Sequence, residues 1–170
     1  MKESEQRSIF ENWLQQYQAL LFKVVRAYAF NAEDQDDLFQ EIAIQLWRSV
    51  PNFRGEAAAT TWIYRVALNT ALKWTRREQK HQDGRQSIDN RESLLREKAA
   101  ANDERLDWLY QEIAKLNEVD RSLALLLLDG FSYREMAEMI GISESNIGVR
   151  IHRIKKHLIA QSKKHEYYGI

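Results

Sequence analysis

SYREMAEMIGISESNIGVRIHRIKKHL, residues 132–158, decides how this chain is read. Ser132 followed three residues later by Glu135 makes a capping box, in which each side chain satisfies a backbone amide that the helix leaves unpaired. Gly141 supplies a turn and Ser143 a second cap. The helix that follows, from Glu144 to about Ile159, puts Ile147, Ile151, Ile154 and Leu158 on one narrow face that must pack inward. Two short helices joined by such a turn form a helix-turn-helix, whose second helix enters the major groove of DNA. Opposite the apolar stripe are Ser145, Val149, His152, Arg153 and Lys156, flanked by Asn146 and Arg150. These residue types hydrogen-bond to base edges, touch thymine methyl groups and neutralise phosphates. Residues 141–170 hold six Lys/Arg against two Glu. A plain basic C-terminal helix, favoured by its dipole, would share that charge. Gly148 costs the helix about 1 kcal/mol relative to alanine, but it removes a side chain near the expected groove.

The whole chain is nevertheless neutral, with 25 basic and 25 acidic residues in 170. Proteins that grip DNA are normally basic, so the charge must be divided between surfaces. Residues 33–41 contain five acids and no base. On a helix over 33–50, Leu38, Phe39, Ile42, Ala43, Leu46 and Val50 share one face. Glu33, Asp34, Asp37 and Glu41 gather on the other, with Ile44 among them and Trp47 at the edge. Three readings compete: a solvated face, a magnesium site, and a docking face for a basic protein partner. Gln40 stands where an aspartate-rich metal motif would want a third Asp, and no second motif accompanies it. Residues 62–80 reverse the sign, with five bases and one acid. Arg65, Asn69, Lys73, Arg76 and Arg77 lie off the inner face of Ile63, Val66, Ala67, Thr70 and Trp74, near Phe53, Trp62 and Tyr64. Bases interleaved with aromatics suit single-stranded nucleic acid, where charge holds phosphates and rings stack on bases. Trp74 reads as core; Trp62 and Tyr64 fit either role.

The remaining sequence sets the frame. With 44% hydrophobic residues, six glycines and one proline, the chain reads as all-α. Helices are expected over Ile9–Phe30, Ala32–Val50, Trp62–Lys80 behind a Thr60 or Thr61 cap, Leu106–Leu116 and Glu118–Leu128. Residues 81–105 hold six acids, five bases, no aromatic and few large aliphatics. They read as a flexible linker with at most a helical turn near 93–101. The expected organisation is two small helical domains, 5–80 and 106–162, the second containing the helix-turn-helix, with no internal repeat. There is no cysteine, so no disulfide or thiolate metal site. The four histidines show no metal spacing, and no nucleophile elbow or phosphate-binding loop is present. No metal, no cofactor and no catalytic residue is expected. The polar N-terminus is not a signal peptide, and the longest apolar run, Leu123–Leu128, is six residues. A soluble cytoplasmic protein without membrane contact is expected.

The order DQDDLFQEIAIQLWRSVPNF, TTWIYRVALNTALKWTRR, polar linker, LNEVDRSLALLLLDGFSYREMAEMIGISESNIGVRIHRIKKHL resembles the extracytoplasmic-function group of bacterial RNA polymerase sigma factors, over roughly residues 10–160. The resemblance implies binding to core RNA polymerase, promoter recognition and promoter melting, without enzymatic activity. Asp36, Asp37, Leu38, Gln40, Glu41 and Trp47 match the segment that grips the polymerase clamp helices, with Ile44 on the same surface. Asn69, Lys73, Arg76 and Arg77, with Phe53, Arg54 and Trp62 around the loop before them, match the element that captures a melted minus-ten base. The helix-turn-helix matches the reader of the minus-thirty-five element, and the Leu123–Leu128 helix part of the module that seats on the polymerase flap. The linker would thread past the active-centre channel. An anti-sigma partner is implied. Many relatives read T-V-K-S-R where this chain has Asn146-Ile147-Gly148-Val149-Arg150, so their promoter sequences do not transfer.

A conventional helix-turn-helix regulator would need only the C-terminal reader and dimer symmetry. It leaves the acidic helix and the 62–80 helix unexplained. A decoy that traps an inhibitor would carry an added α/β domain, for which no pattern exists here. Reversing Asp37 and Glu41 to lysine is expected to abolish polymerase binding with the fold intact.

Overall fold

Why the helices stop where they do is visible in their caps. In the computed structural model, which describes residues 1–82 and 103–167, Asn31 opens a helix by accepting the Asp34 amide at 2.8 Å. Asn117 opens another by accepting the Asp120 amide at 3.0 Å. Both are preferred N-cap residues because a short side-chain oxygen reaches an amide that has no intrahelical partner. The described residues form α1 (Glu3–Gln16), α2 (Gln18–Tyr28), α3 (Ala32–Ser49), a 3-10 turn (Val50–Asn52), α4 (Ala59–Gln82), α5 (Glu104–Lys115), α6 (Glu118–Leu128), α7 (Tyr133–Ile140) and α8 (Glu144–Tyr167). No strand occurs among them. The chain divides into two units, residues 1–104 and 105–170.

In the first unit α4 packs on α3 and α2, and α1 lies against α3 and the 3-10 turn. The core between them is Leu21, Val24, Tyr28, Leu38, Ile42, Leu46, Ile63, Tyr64 and Leu68, all buried. Each such side chain contributes about 1.5–3 kcal/mol on leaving water. In the second unit α6, α7 and α8 pack together around Leu123, Leu125, Leu126, Met136, Ile147, Ile151 and Ile154. The buried Glu112 of α5 is bonded by Lys115 at 2.7 Å and faces His157 of α8 at 3.8 Å. When protonated, that imidazole ties α5 to α8.

Several boundaries differ from expectation. The single helix expected over 9–30 is two, with Tyr17 between them at φ −108°, ψ 19°. Backbone bonds from Tyr17 N to Trp13 O and from Leu21 N to Tyr17 O run through the bend, so it needs no glycine, proline or cap. Helix α4 begins at Ala59, so Thr60 and Thr61 lie inside it and neither is the residue before it. Helix α8 continues past Ile159 to Tyr167, because Ala, Gln, Lys and Glu propagate a helix without any buried stripe. Residues 81–82 and 104–105, expected in the linker, are helical. The rest of that expectation, 83–102 with its turn near 93–101, lies outside the described residues. Most of the apolar run is core: only Leu128 of Leu123–Leu128 is exposed, which leaves little of it for an outside partner.

Candidate nucleic-acid and protein-docking surfaces

The acidic face of α3 is real but unequally available. Asp36 and Gln40 are exposed, and Ile44 is 49% exposed in their midst. Leu38 is completely buried. It anchors α3 to the core, which corrects its assignment as a contact residue: a side chain with no exposed surface touches no partner. Trp47 is half-buried, its ring 5.4 Å edge-on from Phe10. Asp37 is exposed too and Glu41 half-buried, but both also hold partners on α4. The indole N–H of buried Trp74 donates to Asp37 Oδ2 at 2.9 Å, confirming Trp74 as core and explaining how its polar atom is satisfied. The Arg77 guanidinium donates to Glu41 Oε2 at 2.8 Å. That bond, ahead of all other influences, holds Arg77 more firmly protonated than usual. So two acids one turn apart on α3 bracket α4. Reversing both to lysine would break two internal ties as well as change the surface charge, so the intact fold expected of that variant has to be measured beside its polymerase binding.

On α4 the bases and polar groups line a groove of about 440 Å³ shared with α3 and the 3-10 turn. Asn69, Lys73 and Arg77 stand along it with Glu41, Gln45, Arg48, Ser49 and Asn52. Gln45, Arg48 and Asn52 were not anticipated. They belong to other elements, and no local pattern ties them to α4. Arg76 is exposed and does not line the groove. Arg54 is exposed in the loop before α4, beside Gly55 at φ +73°, a left-handed backbone that glycine adopts freely. Phe53 and Trp62 are half-buried in an aromatic chain, Trp13 to Phe53 at 5.3 Å and Phe53 to Trp62 at 5.7 Å. The Trp62 N–H donates to Ser49 Oγ at 3.1 Å. Both therefore shape the loop as well as offering ring surface. Tyr64 is wholly buried and belongs to the core.

In the second unit the capping box at Ser132 is complete, with the Ser132 amide donating to Glu135 at 2.7 Å and the Glu135 amide to Ser132 Oγ at 3.1 Å. The Ser132 amide, followed by its hydroxyl, holds the Glu135 carboxyl below the usual glutamate range. Gly141 turns at φ +82°, and Ser143 Oγ accepts the Asn146 amide at 3.2 Å. Ser145, Asn146, Val149, His152, Arg153 and Lys156 are all exposed on α8. Arg150 is not on that open surface. It is half-buried and bonded to Asp120 of α6 at 2.8 Å, which draws it away from the role given to it from the sequence.

Gly148 lies beside the Tyr133 ring, where an added Cβ would sit 3.8 Å from Cε2 and 4.0 Å from Cδ2. Those are ordinary contacts. Gly148→Ala is therefore expected to stabilise the second unit by about 1 kcal/mol, read as a higher midpoint in thermal unfolding. A fall in DNA affinity despite that gain would show that the glycine admits DNA.

Residues 13–81 match the family described as Sigma-70 region 2, and residues 106–158 match Sigma-70, region 4. The RNA polymerase sigma factor YlaC of Bacillus subtilis (strain 168) is 29% identical over 158 residues, 89% of this chain and 90% of that protein. The ECF RNA polymerase sigma-E factor of Escherichia coli (strain K12) is 31% identical over 153 residues, 82% of this chain and 79% of that protein. Among solved structures, the sigma factor RpoE in complex with the anti-sigma factor NepR from Bartonella quintana superposes with a TM-score of 0.75 at 17% identity, covering 91% of this chain and 96% of that one.

Proposed function

This chain belongs to the extracytoplasmic-function group of sigma-70 RNA polymerase sigma factors, and from that premise we propose how its surfaces divide the work of initiation. It is an alternative sigma factor that binds core RNA polymerase and directs transcription from particular promoters. The exposed acids of α3, Asp36 and Asp37, with Glu41 and the polar Gln40 around Ile44, dock a basic polymerase surface, with Trp47 shaping its edge. The α4 groove, with Asn69, Lys73 and Arg77, and Arg76, Arg54 and the Phe53–Trp62 rings beside it, takes the unpaired minus-ten strand. The exposed face of α8, Ser145, Asn146, Val149, His152, Arg153 and Lys156, reads duplex DNA at the minus-thirty-five element. One observation carries this division: within residues 33–41 of α3 the exposed charges Glu33, Asp36 and Asp37 are all acidic, whereas Arg65, Lys73, Arg76 and Arg77 stand exposed on α4 and Arg153, Lys155 and Lys156 on α8, as partners of opposite charge require.

The Bartonella quintana relative was solved with an anti-sigma factor, and the same class of partner is proposed here. None of the described helices is long and apolar enough to cross a membrane. The proposed place of action is the cytoplasm, alongside the polymerase, and the proposed role is binding rather than catalysis.

Run-off transcription from genomic fragments tests the function. Discrete transcripts requiring both core polymerase and this chain are expected. Specific duplex binding by the chain alone, with no such transcripts, would favour a conventional regulator. Arg153→Ala is expected to weaken upstream promoter binding by about 1–3 kcal/mol if it reads a base. An equal loss on every duplex, in a titration against promoter and unrelated DNA, would make it a phosphate contact.

A further inference from the structure

Arg150 and Asp120 stand in a bonded chain that ends at the open face of α8. Asn117 Nδ2 donates to Asp120 Oδ2 at 2.8 Å. Arg150 Nη1 donates to Asp120 Oδ1 at 2.8 Å. Arg150 Nε donates to Asn146 Oδ1 at 3.2 Å. The polarity of this chain is not free to invert. A guanidinium only donates, so the atom of the Asn146 amide that faces Nε must be its oxygen. The Arg150–Asp120 pair is mostly shielded, with side chains 26% and 16% exposed, so solvent weakens it less than an open surface pair. Asn146 itself is exposed in the first turn of α8, the part of a recognition helix that meets base edges.

An asparagine that reads adenine uses both ends of its amide, its oxygen taking the N6 amine and its nitrogen giving to N7. Here one of the oxygen's two lone pairs accepts from the Arg150 guanidinium, which fixes the amide's orientation, so an adenine amine could reach only the other lone pair, beside a positively charged donor. The nitrogen, with two hydrogens, remains to donate. It matches an edge that only accepts: O6 and N7 of guanine, or O4 of thymine.

We infer that Asp120 and Arg150 are positioning residues for promoter specificity, holding Asn146 so that it selects guanine or thymine over adenine at one base pair. This rests on the proposal that α8 reads duplex DNA. Neither positioning residue needs to touch the base, and Asp120 lies on a different helix.

The test is selection from a duplex library randomised across the upstream element, using the full chain with core RNA polymerase. Wild type is expected to enrich G or T at one position, and Asn146→Ala to flatten that position alone. Arg150→Ala releases the amide oxygen, so the ratio of G or T to A there should fall roughly tenfold, the discrimination of one good paired contact. Asp120→Ala should shift the ratio the same way, and the double variant no further than Arg150→Ala. Arg150→Ala leaves the Asn117–Asp120 cap in place, so the test survives if Asp120→Ala loosens α6. Variants that change affinity equally on all sequences, with the base preference intact, overturn the inference. So does an Asn146→Ala variant with an unchanged selected sequence. If wild type enriches no sequence at all, the reading of α8 fails first and the inference falls with it.

Discussion

Asp36→Lys combined with Ile44→Lys is expected to lower affinity for core RNA polymerase by at least about a hundredfold, roughly 3 kcal/mol, the scale of losing central contacts and setting like charges together at an interface. Both side chains are exposed, and neither makes an internal hydrogen bond or ion pair among the described residues. The fold should therefore stay within about 0.5 kcal/mol of wild type by denaturant unfolding. Loss of binding with intact stability identifies α3 as the docking face; unchanged affinity sinks that assignment. Asp37 and Glu41 make poorer probes. Asp37 holds the Trp74 indole and Glu41 the Arg77 guanidinium, so reversing them removes two ties to α4 while also altering the surface. A weakened polymerase complex would then have two causes. Glu41→Gln with Arg77→Ala, measured singly and together, would isolate the value of the ion pair, which at its exposure is expected to be under about 1 kcal/mol.

The sequence made the helices and their inner faces legible because burial follows a period of 3.6. Ile147, Ile151 and Ile154 are buried as their spacing demands, and so are Leu38, Ile42 and Leu46 on α3. Caps were legible because they are local chemistry: Ser132 and Ser143 each reach an amide three residues on. What stayed hidden is what lies far apart in the chain. Trp74 and Asp37 are 37 residues apart, Arg77 and Glu41 36, Arg150 and Asp120 30. A helical wheel can put Trp74 on the inner face of its helix and the charged residues off the apolar stripes, but it says nothing of which helix comes alongside. Hence Arg150 read as a DNA contact although Asp120 holds it, and Gln45, Arg48 and Asn52 escaped notice although they line the α4 groove. The bend at Tyr17 was hidden for a different reason: its backbone bonds persist, so the composition carries no break.

Leu38→Ala separates the two meanings that a matched position can have. Its side chain is completely buried under the acidic face, between the core of α3 and the helices packed on it. Truncation removes apolar contacts and leaves a cavity, at about 2–5 kcal/mol. Against a typical total of about 5–15 kcal/mol, that is a large share of the stability of the first unit. The expected result is an unfolding transition at clearly lower urea concentration, with the transition of the second unit unmoved if the two unfold separately. Polymerase affinity measured well below the transition should stay within roughly threefold of wild type, because a few kcal/mol of lost stability still leaves most molecules folded. Transcription should then fail on warming, in step with unfolding. A contact role makes the opposite prediction: affinity lost at low temperature while the urea midpoint holds. Asp36 is expected to behave in that second way and Leu38 in the first, two residues apart on the same helix, because one faces water and the other does not.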